Sequence, residues 1–147
     1  MLLKHELDTS KRDIEITVTY PVKNKTVDHI LALIKSFASK IECYTEDGIK
    51  LVNTSDIYFI ESVDKKTVVC CEEGNYTIKS SLYQMHEKLK SAGFVQISKY
   101  CILNTSKLKM IKPMVNSHLE AVLSNGMCVY VTRKYLSDIR RILQEGT

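Results

Sequence analysis

The stretch FVQISKYCILN, residues 94–104, restricts the possible fold more than any other part of the chain. A β-strand has a side-chain period of two, so alternate residues of this stretch would share one face. Those residues are Val95, Ile97, Lys99, Cys101 and Leu103. A buried, unpaired lysine costs several kcal/mol or loses its proton, so Lys99 does not fit among four apolar neighbours. The sequence therefore predicts that a solvent-exposed loop at Ser98-Lys99 interrupts the strand.

Short apolar runs separated by turn residues lie on both sides of this stretch. On its N-terminal side they predict a meander of three strands, at 57–63, 67–73 and 76–79. Residues 80–94 have helical spacing. On the C-terminal side, Asn125-Gly126 between two apolar runs predicts a hairpin with a type I′ turn.

The first 50 residues predict a small β-α-β extension. Residues 14–22, IEITVTYPV, alternate as in a strand and close near a proline. Residues 25–40 carry apolar side chains at helical spacing, and a strand and turn follow them. We therefore divide the chain into an N-terminal extension, 1–50, and a second domain, 51–147.

The net charge of +4 is concentrated in the C-terminal third of the chain. Residues 94–147 hold 8 Lys and Arg against 3 Asp and Glu, whereas residues 1–53 hold 8 of each. A local positive excess is a modest indication of an anionic partner, although charge clusters are more often solvated faces.

Composition and motifs argue against several classes of protein. The hydrophobic fraction of 44% and the charged fraction of 26% are ordinary for a globular domain. No apolar run approaches the roughly 18 residues of a membrane span, and the charged N-terminus is unlike a signal peptide. These features predict a cytoplasmic protein without a membrane partner. Phosphate-binding loops and hydrolase motifs are absent from the sequence, so we predict neither an enzyme nor a cofactor.

The five cysteines, four of them in β-like apolar contexts, predict free thiols that pack as small hydrophobic groups rather than a metal site. None belongs to a C-x-x-C pair, and an odd number suits a reducing compartment. Cys70 and Cys71 are adjacent and would point to opposite faces of one strand.

The order of these motifs resembles the LytTR family, a mostly β DNA-binding module of many bacterial transcription regulators. The resemblance implies a mostly β (α+β) fold of short antiparallel sheets with one or two helices. The matching pieces are I-Y-F-I-E, a basic turn, S-L-x-x-M-x-x-x-L, F-V-x-I-S-x-x-x-I-L-N, and an N-G hairpin followed by V-T-R-K-Y. The resemblance covers residues from about 50 to 145. Because 50 residues are too few for a receiver domain, the chain resembles stand-alone members of the family with a short N-terminal extension.

The resemblance implies that loops of the domain bind double-stranded promoter DNA in successive major grooves of a bent duplex. Contacts are expected from the turn after the first strand, from the segment after the long helix and from the residues past the N-G hairpin. The corresponding DNA-binding residues here are Lys65, Lys66, Ser98, Lys99, Arg133 and Lys134. Paired repeats are typical sites of the family, which implies a homodimer or paired binding. Gln96 and Lys99 depart from a common arginine and a frequent asparagine, so the target sequence does not carry over.

Each of these residues has a plainer alternative. Lys99 could extend into water from an edge strand, and Lys65 could be part of a solubilising turn. Arg133 opposes the dipole of the final helix, as functional residues often do, and the alternative is a salt bridge to Asp138 or Glu120. Asn104 is predicted to be structural, with its side chain fixing a turn.

Three further lysines, Lys107, Lys109 and Lys112, are predicted to form a rim that could touch DNA phosphates. A second functional hypothesis also stays open. In it the chain is a protein-interaction module whose extension pairs two copies and whose DNA binding is weak or lost.

Overall fold

The computed structural model describes residues 1–115 and 118–145 and shows two antiparallel sheets with few helices. The helices are α1 (Lys25–Ala38), α2 (Leu82–Leu89) and α3 (Leu136–Glu145). The strands are β1 (Lys40–Thr45), β2 (Gly48–Asn53), β3 (Ile57–Val63), β4 (Lys66–Cys71), β5 (Gly74–Ile78), β6 (Phe94–Ser98), β7 (Cys101–Asn104), β8 (Leu108–Pro113), β9 (Leu119–Leu123) and β10 (Cys128–Val131). The predicted mostly β fold is confirmed. Within the described ranges, no helix is long and apolar enough to cross a membrane.

The strands form a seven-stranded sheet in the order β2-β1-β5-β4-β3-β7-β6 and a three-stranded sheet in the order β10-β9-β8. All of the pairings are antiparallel. The predicted meander corresponds to β3, β4 and β5, which are neighbours in the large sheet.

Two hydrophobic cores lie on opposite faces of the large sheet. On one face, Met85 and Leu89 of α2 pack with Ile60 and Ile102. On the other face, the small sheet and α3 cover a core that contains Leu123 and Ile139. The adjacent thiols divide between the cores as predicted, since Cys71 belongs to the first and Cys70 to the second.

The stretch 94–104 forms a hairpin whose apolar residues share one face. Val95, Ile97, Cys101 and Leu103 are all buried in the core under the small sheet. The turn between β6 and β7 consists of Lys99-Tyr100, and both residues are exposed. The predicted interruption is confirmed, but Ser98 is the last residue of β6 and pairs with Cys101. The break therefore comes one residue later than predicted, because a bulge between Gln96 and Ser98 shifts the register.

The hairpin at Asn125-Gly126 forms, but its predicted type I′ turn is wrong. A type I′ turn needs positive φ at both central residues. Gly126 has a φ of 87°, whereas the non-glycine residues of positive φ in the described chain are Asp64 and Lys65. The Gly126 amide donates to the Leu123 carbonyl at 2.9 Å. This is a type I turn followed by a glycine bulge, the three-residue alternative to type I′.

The predicted strand at 14–22 is also wrong, because these residues form neither helix nor strand. Alternation gives a segment strand-like faces, but a strand also needs a neighbour to accept its backbone hydrogen bonds. The helix of the extension is present as α1, with the Asn24 side chain capping it by accepting from the Val27 amide at 2.9 Å. The division predicted at residue 50 falls inside β2, and it stays a prediction.

Helix α1 packs at the end of the large sheet where β3 begins. The Thr54 hydroxyl, just before β3, donates to the Ser36 carbonyl of α1 at 2.6 Å. The Thr54 amide donates to the Ser39 carbonyl at 3.1 Å. These bonds satisfy carbonyls at the C-terminal end of α1 and fix the helix to the domain.

Candidate nucleic-acid interface

Two of the predicted loops lie side by side at one end of the large sheet. Strand β3 runs towards the turn Asp64-Lys65, and its neighbour β7 begins at the turn Lys99-Tyr100. The Ser62 amide, near the end of β3, donates to the Tyr100 carbonyl at 2.8 Å. This bond ties the two turns together through the backbone.

The third predicted segment reaches the same end from the small sheet. The Thr132 amide, which follows β10, donates to the Ile97 carbonyl of β6 at 2.8 Å. Arg133 and Lys134 come next and are exposed. We call this surface the turn end and define it by Asp64–Lys66, Lys99-Tyr100 and Arg133-Lys134.

The three segments of the turn end lie in a row with Lys99 in the middle. Neighbouring strands are about 4.8 Å apart, so the β3–β4 and β6–β7 turns are separated by about 10 Å. Arg133 lies beyond β6 on the far side of the second turn. One to two further spacings give a backbone row of roughly 15–20 Å from Lys65 to Arg133.

The turn between β3 and β4 is of type I′. Asp64 and Lys65 have φ values of 50° and 64°, and Val63 pairs with Lys66 across the turn. Type I′ turns prefer glycine at their second central position, because a side chain in the left-handed region is strained. Strain of this kind is often found at functional sites. Lys65 therefore occupies a position where glycine would be less strained.

The turn between β6 and β7 is held by side chains of its own strand. The Ser98 hydroxyl accepts from the Tyr100 amide at 3.2 Å, and the Gln96 side-chain amide donates to the Ser98 carbonyl at 3.1 Å. The Lys99 ammonium lies 5.5 Å from the centre of the Tyr100 ring. Ser98 is half-buried, so it is placed to shape the loop while Lys99 presents the charge.

Arg133 opens a single 3₁₀ turn, Arg133–Tyr135, which leads into α3. Thr132 stands at the cap position, but its side chain makes no capping hydrogen bond. The Lys134 ammonium lies 5.5 Å from the centre of the Tyr135 ring. Two cations thus lie at the start of a helix, where the helix dipole disfavours them.

Two residues at or beside the turn end were not predicted from the sequence. Tyr100 is exposed beside Lys99, and Lys79 follows β5 at the level of Lys66, since Ile78 pairs with Thr67. The Lys79 ammonium lies 4.8 Å from the centre of a tyrosine ring in β1. The predicted meander could have identified Lys79 from the sequence. In an antiparallel meander the third strand, β5, ends at the level of the turn between the first two strands, β3 and β4.

The predicted lysine rim is divided between the two ends of the sheet. Lys107 follows β7 at the end opposite the turns, and its ammonium lies 5.1 Å from the centre of the Tyr58 ring. Lys112 lies near the other end of β8, which pairs through β9 with the end of β10. Lys112 is therefore closer to the turn end than Lys107.

The end opposite the turns is stabilised by a buried asparagine. The Asn104 side-chain amide donates to the Ile57 carbonyl at 2.9 Å, and its carbonyl oxygen accepts from the Ser106 amide and hydroxyl at 3.1 and 2.8 Å. The predicted structural role of Asn104 is confirmed.

Four of the five cysteines are buried free thiols. Burial raises the pKa of Cys70 to about 12 and that of Cys71 to about 11. It also raises the pKa of Cys43 and Cys101 above the ordinary value. These thiols therefore stay protonated at neutral pH and pack as small hydrophobic groups, as predicted.

A sequence model described as the LytTr DNA-binding domain matches residues 47–144. The chain belongs to the LytTR family of DNA-binding domains. It superimposes on the LytTr DNA-binding domain of a methyl-accepting/DNA response regulator from Bacillus cereus with a TM-score of 0.66 and 32% identity. That alignment covers 71% of this chain and 96% of the other.

Curated relatives fall into two groups of different length. The sensory transduction protein LytT of Enterococcus faecalis is 30% identical over 98 residues, which are 67% of this chain and 40% of the relative. The LytT protein of Bacillus subtilis is 25% identical over 104 residues, 71% of this chain and 43% of the relative. This chain therefore spans about two fifths of the LytT proteins. A Staphylococcus aureus protein named an uncharacterized HTH-type transcriptional regulator is 21% identical over 97% of this chain and 98% of its own length.

Proposed function

We propose that the protein is a sequence-specific DNA-binding transcription regulator that contacts promoter DNA with the turn end. The observation that carries this proposal is the convergence of three separate segments, all exposed and basic, on one end of the sheet. The segments come from both sheets, and the fold brings them together although Lys65 and Arg133 are far apart in sequence.

The length of the turn end suits binding along the axis of a DNA duplex. Successive major grooves repeat about every 34 Å and each is about 12 Å wide, so their nearest edges are about 22 Å apart. A backbone row of roughly 15–20 Å with long side chains at both ends spans that distance, more easily if the DNA bends towards the protein. In this arrangement Lys65 and Arg133 enter successive major grooves of the DNA. Lys99 lies over the sugar-phosphate backbones between those two grooves.

Each position then has a distinct chemical role. Arg133 can donate two parallel hydrogen bonds to guanine O6 and N7, the commonest specific contact in the major groove. Lys99, Lys66 and Lys134 neutralise phosphates and supply affinity without sequence information. Ser98 positions Lys99 through its bond to the Tyr100 amide.

Pairing of two copies on repeated sites is part of the proposal. Two turn ends on one duplex would double the phosphate contacts and raise the affinity for a paired site over a single one. Action on promoter DNA also places the protein in the bacterial cytoplasm and requires no enzymatic step of its own.

The proposal is tested by a mobility-shift assay of the protein on the promoter region of its own gene. We expect a specific complex that survives competition by unrelated duplex. Equal competition by specific and unrelated duplex, or no complex at all, would favour the protein-interaction module instead.

Lys99→Ala is expected to weaken binding to specific and unrelated duplexes alike. Because Lys99 lies in the middle of the row, it should contact phosphates, and its loss should reduce the slope of log K against log salt by about one. Fluorescence anisotropy at several salt concentrations measures both quantities. A preference lost at one base pair with an unchanged salt slope would show that Lys99 reads a base instead. Lys99→Asn would then be expected to shift that preference towards adenine.

Lys65→Gly is expected to make the fold more stable and the DNA complex weaker. Glycine relieves the strain of a positive φ in a type I′ turn, and we expect a gain of about 0.5–1 kcal/mol in the free energy of unfolding. Removal of the ammonium should at the same time reduce affinity and the salt slope. Urea unfolding and anisotropy measure the two effects.

The matched control is Lys65→Arg, which keeps both the charge and the backbone strain. It should leave stability and salt slope close to those of the natural chain. A glycine variant that gains stability but binds DNA with full affinity would assign Lys65 to a solubilising turn.

A further inference from the structure

Residues 14–20 have the pattern of a strand but form no strand in the single chain. Ile14, Ile16, Val18 and Tyr20 alternate with polar residues. In the structure Ile14 and Ile16 are exposed by 86% and 61%. The apolar face of such a segment contributes little stability until the segment pairs with another strand.

The large sheet offers an open edge with matching apolar side chains. Strand β2 is an outer strand of the sheet, and its Ile49 and Leu51 lie on one face with exposures of 62% and 60%. Phe37, near the C-terminal end of α1, is exposed by 72%. Natural edge strands are usually protected, so an apolar open edge indicates a surface that a partner covers.

The other three outer strands carry features that oppose strand addition, and β10 is protected by having only four residues. Strand β8 contains Pro113 and two lysines, which are typical protections of an edge. Strand β6 is bulged, and the Thr132 amide already binds its Ile97 carbonyl. Strand β2 is therefore the acceptor that best fits residues 14–20.

The unpaired state of both elements in one chain favours a partner chain over the same chain. Strand β2 pairs with β1 on one side and is the outer strand of the sheet on the other. Residues 14–20 form no strand, although they belong to the same molecule. A second copy can supply the neighbour that each of them lacks.

We propose that two copies of the chain form a dimer in which residues 14–20 of each add as an outer strand to β2 of the other. Isologous exchange of this kind closes the assembly at two copies. The apolar face of the added strand covers Ile49 and Leu51.

Sedimentation of full-length variants tests the proposal. Ile16→Pro removes a backbone donor from the added strand and should convert the dimer to a monomer. Leu7→Pro is the matched control, because Leu7 is 93% exposed and lies outside the alternating segment. It should leave the dimer intact. Neither variant should change the melting temperature of the monomer, since neither side chain is buried in the single chain.

Hydrogen exchange identifies the partner of residues 14–20. We expect their amides to be protected at high protein concentration and to lose that protection on dilution, and Ile49→Glu with Leu51→Glu should abolish it. Protection that is independent of concentration would mean pairing within one chain, and a natural chain that sediments as a monomer would equally overturn the proposal. Binding of Ile16→Pro to a duplex with one site should stay unchanged, which separates this inference from the proposed DNA-binding function.

Discussion

Arg133→Ala is expected to weaken binding to the specific duplex by about 1–3 kcal/mol and to relax preference at one base pair. Arg133 is exposed on the one-turn helix that follows β10, at one end of the row that also holds Lys65 and Lys99. Its guanidinium can form two hydrogen bonds with one guanine, and alanine can form none. Binding selections on randomised duplexes measure the preference, and anisotropy measures the affinity.

Arg133→Lys separates the geometry of the side chain from its charge. Lysine keeps the positive charge but lacks the planar fork, so we expect most of the salt dependence to remain while discrimination at the base pair falls. If Arg133→Ala leaves both affinity and preference unchanged in a protein of normal melting temperature, Arg133 is not a base-reading residue. A loss of melting temperature without a loss of preference would instead favour a structural ion pair.

Asn104→Ala is expected to destabilise the fold by roughly 2–4 kcal/mol, because buried hydrogen-bonding groups left without partners cost about 1–3 kcal/mol each. The Asn104 side chain is almost fully buried and joins the Ile57 carbonyl at the start of β3 to the turn after β7. Its removal leaves the carbonyl and the Ser106 amide without these partners. Urea unfolding gives the change in the free energy of unfolding.

The control is Asn75→Ala, at an exposed position of β5. A surface substitution of this kind should change stability by no more than about 0.5 kcal/mol. Equal effects of the two substitutions would contradict the structural role given to Asn104. At temperatures where the Asn104 variant stays folded, its DNA affinity should be nearly normal, because Asn104 lies at the end of the sheet opposite the turns.

Local patterns in the sequence predicted most of the domain. The alternation in residues 94–104 predicted a buried row and an exposed Lys99, since a buried ammonium is too costly to be accommodated without a partner. The meander and the Asn125-Gly126 hairpin also formed, because turn residues and apolar periodicity act over a few neighbours.

The errors arose where structure depends on distant partners or on small differences in backbone energy. Residues 14–22 have strand periodicity, yet the single chain leaves them unpaired, and no local pattern reports whether a neighbour exists. The type I′ turn formed at Asp64-Lys65 rather than at Asn125-Gly126, because a glycine bulge is a close competitor for the same dipeptide. Ser98 stayed in its strand since a bulge moved the turn by one residue.

The candidate interface could be predicted only in part for the same reason. Lys65, Lys99 and Arg133 were identified from the family resemblance, but their order in a row depends on the strand order of the sheet and on the bond from Thr132 to Ile97. Lys79 was missed because its place near Lys66 depends on the register between β4 and β5.

The most direct measurement compares DNA binding by two variants that each lose three positive charges. One variant carries Lys65→Ala, Lys99→Ala and Arg133→Ala at the turn end. The other carries Lys23→Ala, Lys35→Ala and Lys90→Ala beside α1, at the opposite end. If the turn end binds DNA, anisotropy on the specific duplex at one salt concentration should show a loss on the order of 10²- to 10³-fold for the first variant and little change for the second. Equal losses in the two variants, or a larger loss in the second, would contradict the assignment of DNA binding to the turn end.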